Sequence, residues 1–282
     1  MGKLAFLFPG QGAQVVGMGK DFFDAYDLAK KRFAEADEAL GYSISKLCFE
    51  GPADQLQLTE HTQPAILTVA VIASELLRAE GIEPEIAAGH SLGEYAALVA
   101  AGVLSFQDAV LLVHKRGAYM QEAVPVGEGA MAAVIGLDDE TIVSACAEAS
   151  SVGAVQAVNF NCPGQTVIAG TAKGVEHAVT LLQEKGAKKA VILPVSAPFH
   201  STLMEPAAKK LAAELDKVEL HDAAFPVVSN FTGGLQQTAA EIKANLVAQA
   251  DHPVRWIACV NTMRDFGADT YVECGPGKTL AG

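Results

Sequence analysis

Residues 84–102, PEIAAGHSLGEYAALVAAG, decide the fold that this sequence predicts. Residues 84–88 form a short apolar stretch suited to a buried strand, and residues 94–101 are small helix-forming residues that end at Gly102. Between them, Gly89-His90-Ser91-Leu92-Gly93 has the form Gly-x-Ser-x-Gly, the pattern of a serine on a sharp strand-to-helix turn. The stretch therefore predicts a strand, an exposed serine and a helix in immediate succession.

The predicted position of Ser91 suits it to acyl chemistry. A hydroxyl at a helix N-terminus lies beside free N–H groups and the positive end of the helix dipole, which stabilise a developing oxyanion. Ser91 is then a candidate nucleophile that forms a covalent ester. The alternative is that Ser91 serves only as the N-cap of the following helix.

Composition narrows the class of protein. The 282 residues are 50% hydrophobic and 19% charged, which predicts a folded chain with a substantial core. A net charge of −13 argues against nucleic acid or an anionic membrane as a partner. The apolar run at residues 4–8 is too short for a signal peptide or a membrane span, so we expect a soluble cytoplasmic protein.

The five cysteines predict neither disulfides nor a metal site. They are scattered, odd in number and never in a C-x-x-C pair, so we expect reduced and mostly buried thiols and no bound metal. The dinucleotide fingerprint that begins at Gly10 lacks its third glycine, because Val15 stands there. A phosphate-binding loop ending at Thr279 fails because its first glycine would fall on Val272, and we expect no cofactor.

Strands that alternate with helices predict the fold class α/β, with a mostly parallel sheet covered on both faces. Residues 4–8 read as a first buried strand, and a helical region follows as far as Leu40. Residues 64–80 are nearly all apolar, which predicts a helix inside the protein. Ser105 resembles the start of a capping box that opens another helix.

The stretch 124–195 predicts a smaller unit inserted into this one. Strands at 130–137, 154–160, 165–170 and 188–195 and helices at 138–150 and 171–186 give the order β-α-β-β-α-β, which is the ferredoxin-like arrangement. The predicted organisation is a large domain formed by residues 1–123 and 196–282, with residues 124–195 as a small subdomain.

A serine nucleophile needs a base, for which histidine is the usual residue at neutral pH. Among seven histidines, His200 follows a predicted strand, in a loop with Pro194 and Pro198 of the kind that points side chains into a cleft. The acidic residues between Ser91 and His200 lie mainly inside the small subdomain. We therefore expect a serine–histidine dyad whose histidine is oriented by a group other than a carboxylate, such as a backbone carbonyl.

An ordered set of motifs runs over essentially the whole length of the chain. The motifs are Phe8-Pro9-Gly10-Gln11-Gly12, Gly89-His90-Ser91-Leu92-Gly93-Glu94-Tyr95, Arg116, Asn159-Phe160-Asn161, Phe199-His200-Ser201 and Gly275-Pro276-Gly277. Together they resemble those of the malonyl-CoA:acyl carrier protein transacylases and the related acyltransferase domains of polyketide synthases. That resemblance implies an α/β-hydrolase-like core with a ferredoxin-like small subdomain.

The resemblance also implies roles for single residues. Ser91 would be the acylated nucleophile, and His200 the general base and then the general acid. Gln11 and Leu92 would donate their backbone N–H groups to an oxyanion hole. Gln249 would orient the histidine through its backbone carbonyl.

Two further residues would set the substrate. The resemblance implies that Arg116 binds the free malonyl carboxylate, which fits a guanidinium able to make two parallel bonds to a carboxylate. The alternative is an arginine that serves the end of its helix. Phe199, before the histidine, implies a preference for malonyl over methylmalonyl, because its ring leaves little room for a methyl branch.

The expected partners are malonyl-CoA and acyl carrier protein, the reaction is a ping-pong transfer in fatty-acid synthesis, and the protein is expected to be a monomer. Two other functions remain open from the residues. An esterase or thioesterase would share the serine turn but would hydrolyse malonyl-CoA without carrier protein. A non-enzymatic acyl-binding module would bind the thioester without forming a covalent adduct.

Overall fold

Helices flank two separate β-sheets in the computed structural model, which describes residues 2–195 and 197–281. The predicted domain limits at Met1, Ser196 and Gly282 fall on positions outside the described residues. The strands of the described part are β1 (Lys3–Phe8), β2 (Ile86–Gly89), β3 (Gly129–Ile135), β4 (Val155–Cys162), β5 (Gln165–Thr171), β6 (Lys189–Ile192), β7 (Val227–Val228), β8 (Leu235–Gln236) and β9 (Ala268–Glu273).

The first sheet is mostly parallel, as the sequence predicts. Its order is β8-β7-β2-β1-β9, and only β7 and β8 pair antiparallel. Strands β1 and β2 run in register from Ala5 beside Ile86 to Phe8 beside Gly89. Because parallel strands end at the same edge of a sheet, the loop after Phe8 and the turn that holds Ser91 lie side by side.

Twelve α-helices and one short 3-10 helix (Thr202–Met204) lie in the described residues. The α-helices are α1 (Lys20–Ala25), α2 (Asp27–Leu40), α3 (Ile44–Glu50), α4 (Ala53–Leu56), α5 (Thr59–Ala79), α6 (Gly93–Ala100), α7 (Phe106–Glu122), α8 (Asp139–Ala149), α9 (Ala172–Glu184), α10 (Glu205–Leu215), α11 (Ala239–Asp251) and α12 (Trp256–Phe266).

Helix α5 is buried along most of its length, as its apolar sequence predicts. The helix was predicted to start at residue 64, but it begins at Thr59, so that Pro64 lies inside it. Proline has no N–H to bond the carbonyl four residues earlier. That carbonyl, on Glu60, is 3.0 Å from Nδ1 of His114 on α7, which supplies the missing partner. A tertiary hydrogen bond thus allows the helix to continue through the proline.

The second sheet is antiparallel, with the order β4-β5-β3-β6. Its elements follow the chain as β3, α8, β4, β5, α9 and β6, which is the order that the sequence predicts. Helices α8 and α9 pack on one face, where residues such as Ile142, Val175 and Leu182 form a core separate from that of the first sheet. The last strand ends at Ile192, three residues before the predicted end.

Backbone hydrogen bonds join strand β4 to the loop before α12. The N–H of Phe160 donates to the carbonyl of Val254 at 3.0 Å, and the N–H of Val254 donates to the carbonyl of Val158 at 2.8 Å. Strand β4 thus connects the second sheet, called here the small sheet, to the loop before α12. A cleft lies between the two sheets.

Three further observations concern membrane-spanning helices, potential metal ligands and thiols. No helix in the described residues is both long and apolar enough to cross a membrane. No cluster of three or more potential metal ligands occurs within residues 2–195 and 197–281. All five cysteines are free, and all but Cys162 are buried, which agrees with the prediction of reduced and mostly buried thiols.

Candidate active site

The strand-to-helix turn at Ser91 has the geometry that its glycines predict. Ser91 has φ 53°, in the left-handed region that few non-glycine residues adopt. A Cβ on Gly89 would lie 1.9 Å from the carbonyl carbon of Gly93, and one on Gly93 would lie 2.1 Å from the carbonyl oxygen of Phe8. The turn can therefore form only with glycine at both positions.

His200 contacts the serine. Its Nε2 is 2.7 Å from Oγ of Ser91, and its Nδ1 is 2.8 Å from the backbone carbonyl of Gln249. A carbonyl only accepts, so Nδ1 carries the proton and Nε2 is free to accept the serine proton. The backbone of His200 also has a positive φ, of 61°. The structure thus brings Ser91 and His200 into contact and places the Gln249 carbonyl on the other side of the histidine ring.

The surroundings of His200 keep it neutral. Its side chain is buried, and burial followed by the nearby charge of Arg116 lowers the pKa of His200 to about 3. Both effects penalise the imidazolium form. At neutral pH the ring is therefore an acceptor that is ready to take a proton from Ser91.

Two backbone N–H groups beside the serine are available to hold a negative charge. Within residues 2–195 and 197–281, neither the N–H of Gln11 nor that of Leu92 donates a hydrogen bond. The N–H of Ser91 itself is already used, because it donates to Oδ1 of Asn230 at 2.6 Å. The free donors on either side of the turn are the ones predicted for an oxyanion hole, and two such groups can hold a developing negative charge.

Arg116 also lies against the serine. It comes from the buried face of α7, and its Nη2 donates to Oγ of Ser91 at 3.1 Å and to Oε1 of Gln249 at 2.9 Å, while its Nη1 donates to Oε1 of Gln63 at 2.8 Å. Its buried Nε–H has no partner in the part of the chain that the structure describes. Arg116 is buried and lies before the last turn of α7, so it does not act as a positive charge at the C-terminal end of the helix dipole.

These groups open into a cavity of about 570 Å³ between the two sheets. Phe199, the residue before His200, lines it and is 9% exposed. The small sheet contributes Asn161 and Cys162 from β4, and α12 contributes Trp256. Nε2 of His90 is 2.9 Å from Oδ1 of Asn161, which connects the serine turn to the small sheet.

The site contains a buried polar group of which only Gln249 was among the predicted site residues. Glu94, Asn230, Gln236, Asn245 and Gln249 form one buried group of hydrogen bonds behind the serine, called here the Glu94 cluster. Gln249 was predicted only for its backbone carbonyl. Glu94 was visible in the sequence only as the residue after the Gly-x-Ser-x-Gly pattern, and nothing in the sequence indicated its buried partners.

Glu94 is completely buried, and burial raises its pKa to about 7. Hydrogen bonds from Asn230, Gln249 and Gln236 and the charge of Arg116 oppose that rise. In turn, burial lowers the pKa of Arg116. Glu94 and Arg116 lie on the two sides of the Gln249 side chain, and burial disfavours the charged form of each.

A hydroxyl on a strained turn, a neutral histidine within hydrogen-bond distance and two free backbone donors together define a serine-dependent acyl-transfer centre. The comparisons with known proteins agree with this class. The model of the acyl transferase domain matches residues 5–281, and the chain belongs to that family.

Relatives that match over the whole chain include enzymes named malonyl CoA-acyl carrier protein transacylase. The chain is 51% identical to the enzyme of that name from Bacillus subtilis, over 100% of this chain and 89% of the relative. It resembles the structure of an acyl-carrier-protein S-malonyltransferase from Burkholderia pseudomallei, with 51% identity, a TM-score of 0.96 and coverage of 99% and 91%. A malonyl-transacylase solved with a type II polyketide synthase acyl-carrier protein matches at 45% identity, TM-score 0.97 and coverage of 99% and 91%.

Proposed function

We propose that the chain transfers a malonyl group from malonyl-CoA to the phosphopantetheine thiol of acyl carrier protein, as a step of fatty-acid synthesis. The observation that carries the proposal is the position of Arg116, which is 2% exposed and donates to the same hydroxyl as His200 contacts. A buried guanidinium beside the nucleophile suits an acyl group that ends in a carboxylate. The names of the relatives support the same substrate and acceptor.

In the first half-reaction, Oγ of Ser91 attacks the thioester carbon while Nε2 of His200 takes the serine proton. The resulting oxyanion accepts hydrogen bonds from the N–H groups of Gln11 and Leu92. The C–S bond then breaks, and the proton on His200 goes to the departing sulfur. The products are malonyl-Ser91 and coenzyme A thiol.

The second half-reaction reverses these roles. The phosphopantetheine thiol gives its proton to His200 and attacks the ester carbon, and the bond between that carbon and Oγ of Ser91 breaks. His200 returns the proton to Oγ, which restores the free serine. The hydrogen bond from Nδ1 of His200 to the Gln249 carbonyl keeps the ring in the tautomer that both steps need.

Two side chains select the acyl group in this proposal. Arg116 pairs with the malonyl carboxylate through Nε–H, which makes no hydrogen bond within the described residues, and through the Nη2 hydrogen that points to Ser91 in the free protein, while Nη2 keeps its bond to Gln249. Phe199 lines the cavity beside the base and opposes a methyl branch on the α-carbon. One methyl group is worth only about 1–3 kcal/mol in a pocket, so we expect a preference rather than complete exclusion.

We also propose an organisation for the chain. The parallel sheet and the serine turn support an α/β-hydrolase-like core formed by residues 1–123 and 196–282. The order β4-β5-β3-β6 supports a ferredoxin-like subdomain within residues 124–195. The monomeric state and the cytoplasmic location stay predictions, which sedimentation and cell fractionation would test.

The decisive test uses malonyl-CoA without carrier protein. The wild-type protein should gain about 86 Da, the mass of a malonyl group that replaces one hydrogen, on the peptide that contains Ser91. Ser91→Ala is the matched control and should gain nothing. A wild-type protein without this adduct would contradict the proposal and favour a non-enzymatic acyl-binding module.

The esterase alternative is tested by adding carrier protein. Transfer predicts that the adduct persists until holo-acyl carrier protein is added and then moves to its thiol. Release of free malonate at a comparable rate in the absence of carrier protein would instead identify a thioesterase.

A further inference from the structure

Glu94 is a buried carboxylate that the proposed mechanism does not use. It is the second residue of α6, three positions after Ser91, and is 0% exposed. Its oxygens accept from three nitrogen donors, namely the backbone N–H of Asn230 at 3.0 Å, Nε2 of Gln249 at 2.7 Å and Nε2 of Gln236 at 2.6 Å. All three partners present N–H groups to the two oxygens, which is the arrangement that the ionised form of the carboxylate requires, because that form only accepts.

This requirement fixes the side-chain amide of Gln249. Its Nε2 donates to Glu94 and, at 2.9 Å, to the backbone carbonyl of Ser91. The remaining atom of the amide, Oε1, therefore faces Arg116 and accepts from Nη2 at 2.9 Å. A flipped amide would set its NH₂ group against the guanidinium and its oxygen against the carboxylate, and both contacts would be repulsive.

Glu94 also anchors the serine turn through Asn230. The backbone N–H of Asn230 donates to Glu94, while its side chain accepts from the N–H of Ser91 at 2.6 Å and donates to the carbonyl of Gly89 at 2.8 Å. The Glu94 carboxylate thus contacts both Asn230, which bonds the serine turn, and Gln249, which bonds Arg116.

We propose that Glu94 is a positioning residue that sets the preference for malonyl over acetyl, because it fixes the Gln249 amide in the orientation that aims Arg116 at the acyl site. The inference rests on the proposed malonyl transfer. Glu94 does not touch the substrate. It acts through Gln249, whose Oε1 and Gln63 Oε1 are the two side-chain carbonyls that hold the guanidinium plane.

The test compares Glu94→Gln with the double variant Glu94→Gln/Gln236→Glu. In the single variant, the N–H groups of Asn230, Gln249 and Gln236 compete for the one oxygen of the new amide at position 94. In the double variant, the amide at 94 donates to the new carboxylate at 236, which forces the oxygen of that amide toward Gln249. The carboxylate at 236 still accepts from Nδ2 of Asn245, which is 2.9 Å from Oε1 of Gln236 in the native protein. Every hydrogen bond can reform while the charge moves one residue away.

The assay measures the rate at which Ser91 is acylated by malonyl-CoA and by acetyl-CoA. Glu94→Gln should lower the malonyl-to-acetyl ratio by about tenfold or more, the effect of leaving one buried donor without an acceptor. The double variant should restore the ratio to within a few-fold of wild type. Thr68→Val, which removes a buried hydrogen bond to the Pro64 carbonyl outside the cavity, is the control and should lower the melting temperature without changing the ratio.

Equal loss of both rates in a folded Glu94→Gln protein, or no loss, would overturn the proposal in favour of a structural role. A folded double variant that does not recover the ratio would also overturn it. If the single variant does not fold, the double variant decides alone, and its failure to fold counts against the proposal, which requires all the bonds to reform. Absence of a malonyl adduct in the wild-type protein would instead reject the proposed transfer itself.

Discussion

Substitution of Arg116 by alanine separates its proposed role in binding malonyl from a structural role. In the free protein, the arginine donates three side-chain hydrogen bonds, to Gln63, Gln249 and Ser91, and is 2% exposed. If malonyl-CoA binds as proposed, its carboxylate enters the same buried site. Without the guanidinium, the anion would have no buried partner.

The magnitude follows from these contacts. Removal of one partner from a buried ion pair costs about 3–5 kcal/mol, which corresponds to roughly 150- to 5,000-fold in the rate of malonyl transfer. An acetyl group has no carboxylate, so acetyl transfer should lose only the hydrogen bond that Arg116 donates to Ser91. That loss is worth about 1 kcal/mol, or roughly fivefold. The malonyl-to-acetyl ratio should therefore fall by about 30-fold or more.

The assay follows acylation of Ser91 by malonyl-CoA and by acetyl-CoA at equal concentrations, with melting temperatures to establish that the variant is folded. Arg116→Lys is the matched control and should give an intermediate ratio, because an ammonium keeps the charge but lacks the planar fork. Removal of the arginine should also raise the pKa of His200, because Arg116 is the second cause of its lowering after burial. Equal losses with both substrates in a folded Arg116→Ala protein would refute the role in carboxylate binding.

Three further predictions concern the base, the turn and the pocket. The pKa of His200 is about 3 in the folded protein and about 6.5 in the unfolded chain, so between these pH values only the unfolded chain binds the proton, and stability rises with pH. His200→Gln should therefore remove about 2 kcal/mol of the gain in stability between pH 5 and pH 7. Urea unfolding of the variant with the same pH dependence as wild type would contradict this. Gly93→Ala should lower the free energy of unfolding in urea by about 4 kcal/mol or more, because the new Cβ would lie 2.1 Å from the Phe8 oxygen. Gly234→Ala is the control and should differ little from wild type, because the atom nearest to its new Cβ would be 3.6 Å away. Phe199→Ala should raise the ratio of methylmalonyl to malonyl kcat/KM by about tenfold, and an unchanged ratio would show that the ring does not limit the α-carbon.

The serine turn was predictable because its causes are local. A tight turn between a buried strand and a helix needs residues without a Cβ on both sides of Ser91, and Gly89 and Gly93 supply them. The order of elements in the small sheet was predictable for the same reason, since each strand and helix there carries its own periodicity. Strands β7 and β8 were not predicted, because two residues each are too few to show any pattern.

The Glu94 cluster could not be predicted because its causes are not local. Glu94 and Gln249 are 155 positions apart, and Glu94 and Gln236 are 142 apart. Glutamate, glutamine and asparagine are mostly surface residues, so in a helix they indicate the exposed face unless their partners are known. The loop position already indicated His200, and the resemblance to a family supplied the roles of Arg116 and of the Gln249 carbonyl, but neither supplied a role for the carboxylate that contacts Gln249 from behind.

The position of this cluster follows from the strain in the residues that it supports. Ser91 and His200 are the only non-glycine residues with positive φ among those that the structure describes, and such backbone costs about 1–3 kcal/mol at each position. A non-glycine residue keeps a positive φ only where contacts with neighbouring residues stabilise that conformation. Asn230 binds the backbone on both sides of the serine turn, and Gln249 binds the Ser91 carbonyl with its side chain and the His200 ring with its own carbonyl. Both residues donate to Glu94, so one buried carboxylate connects the supports of the two strained residues, and the hydrogen bonds that offset its burial also fix the geometry between nucleophile and base.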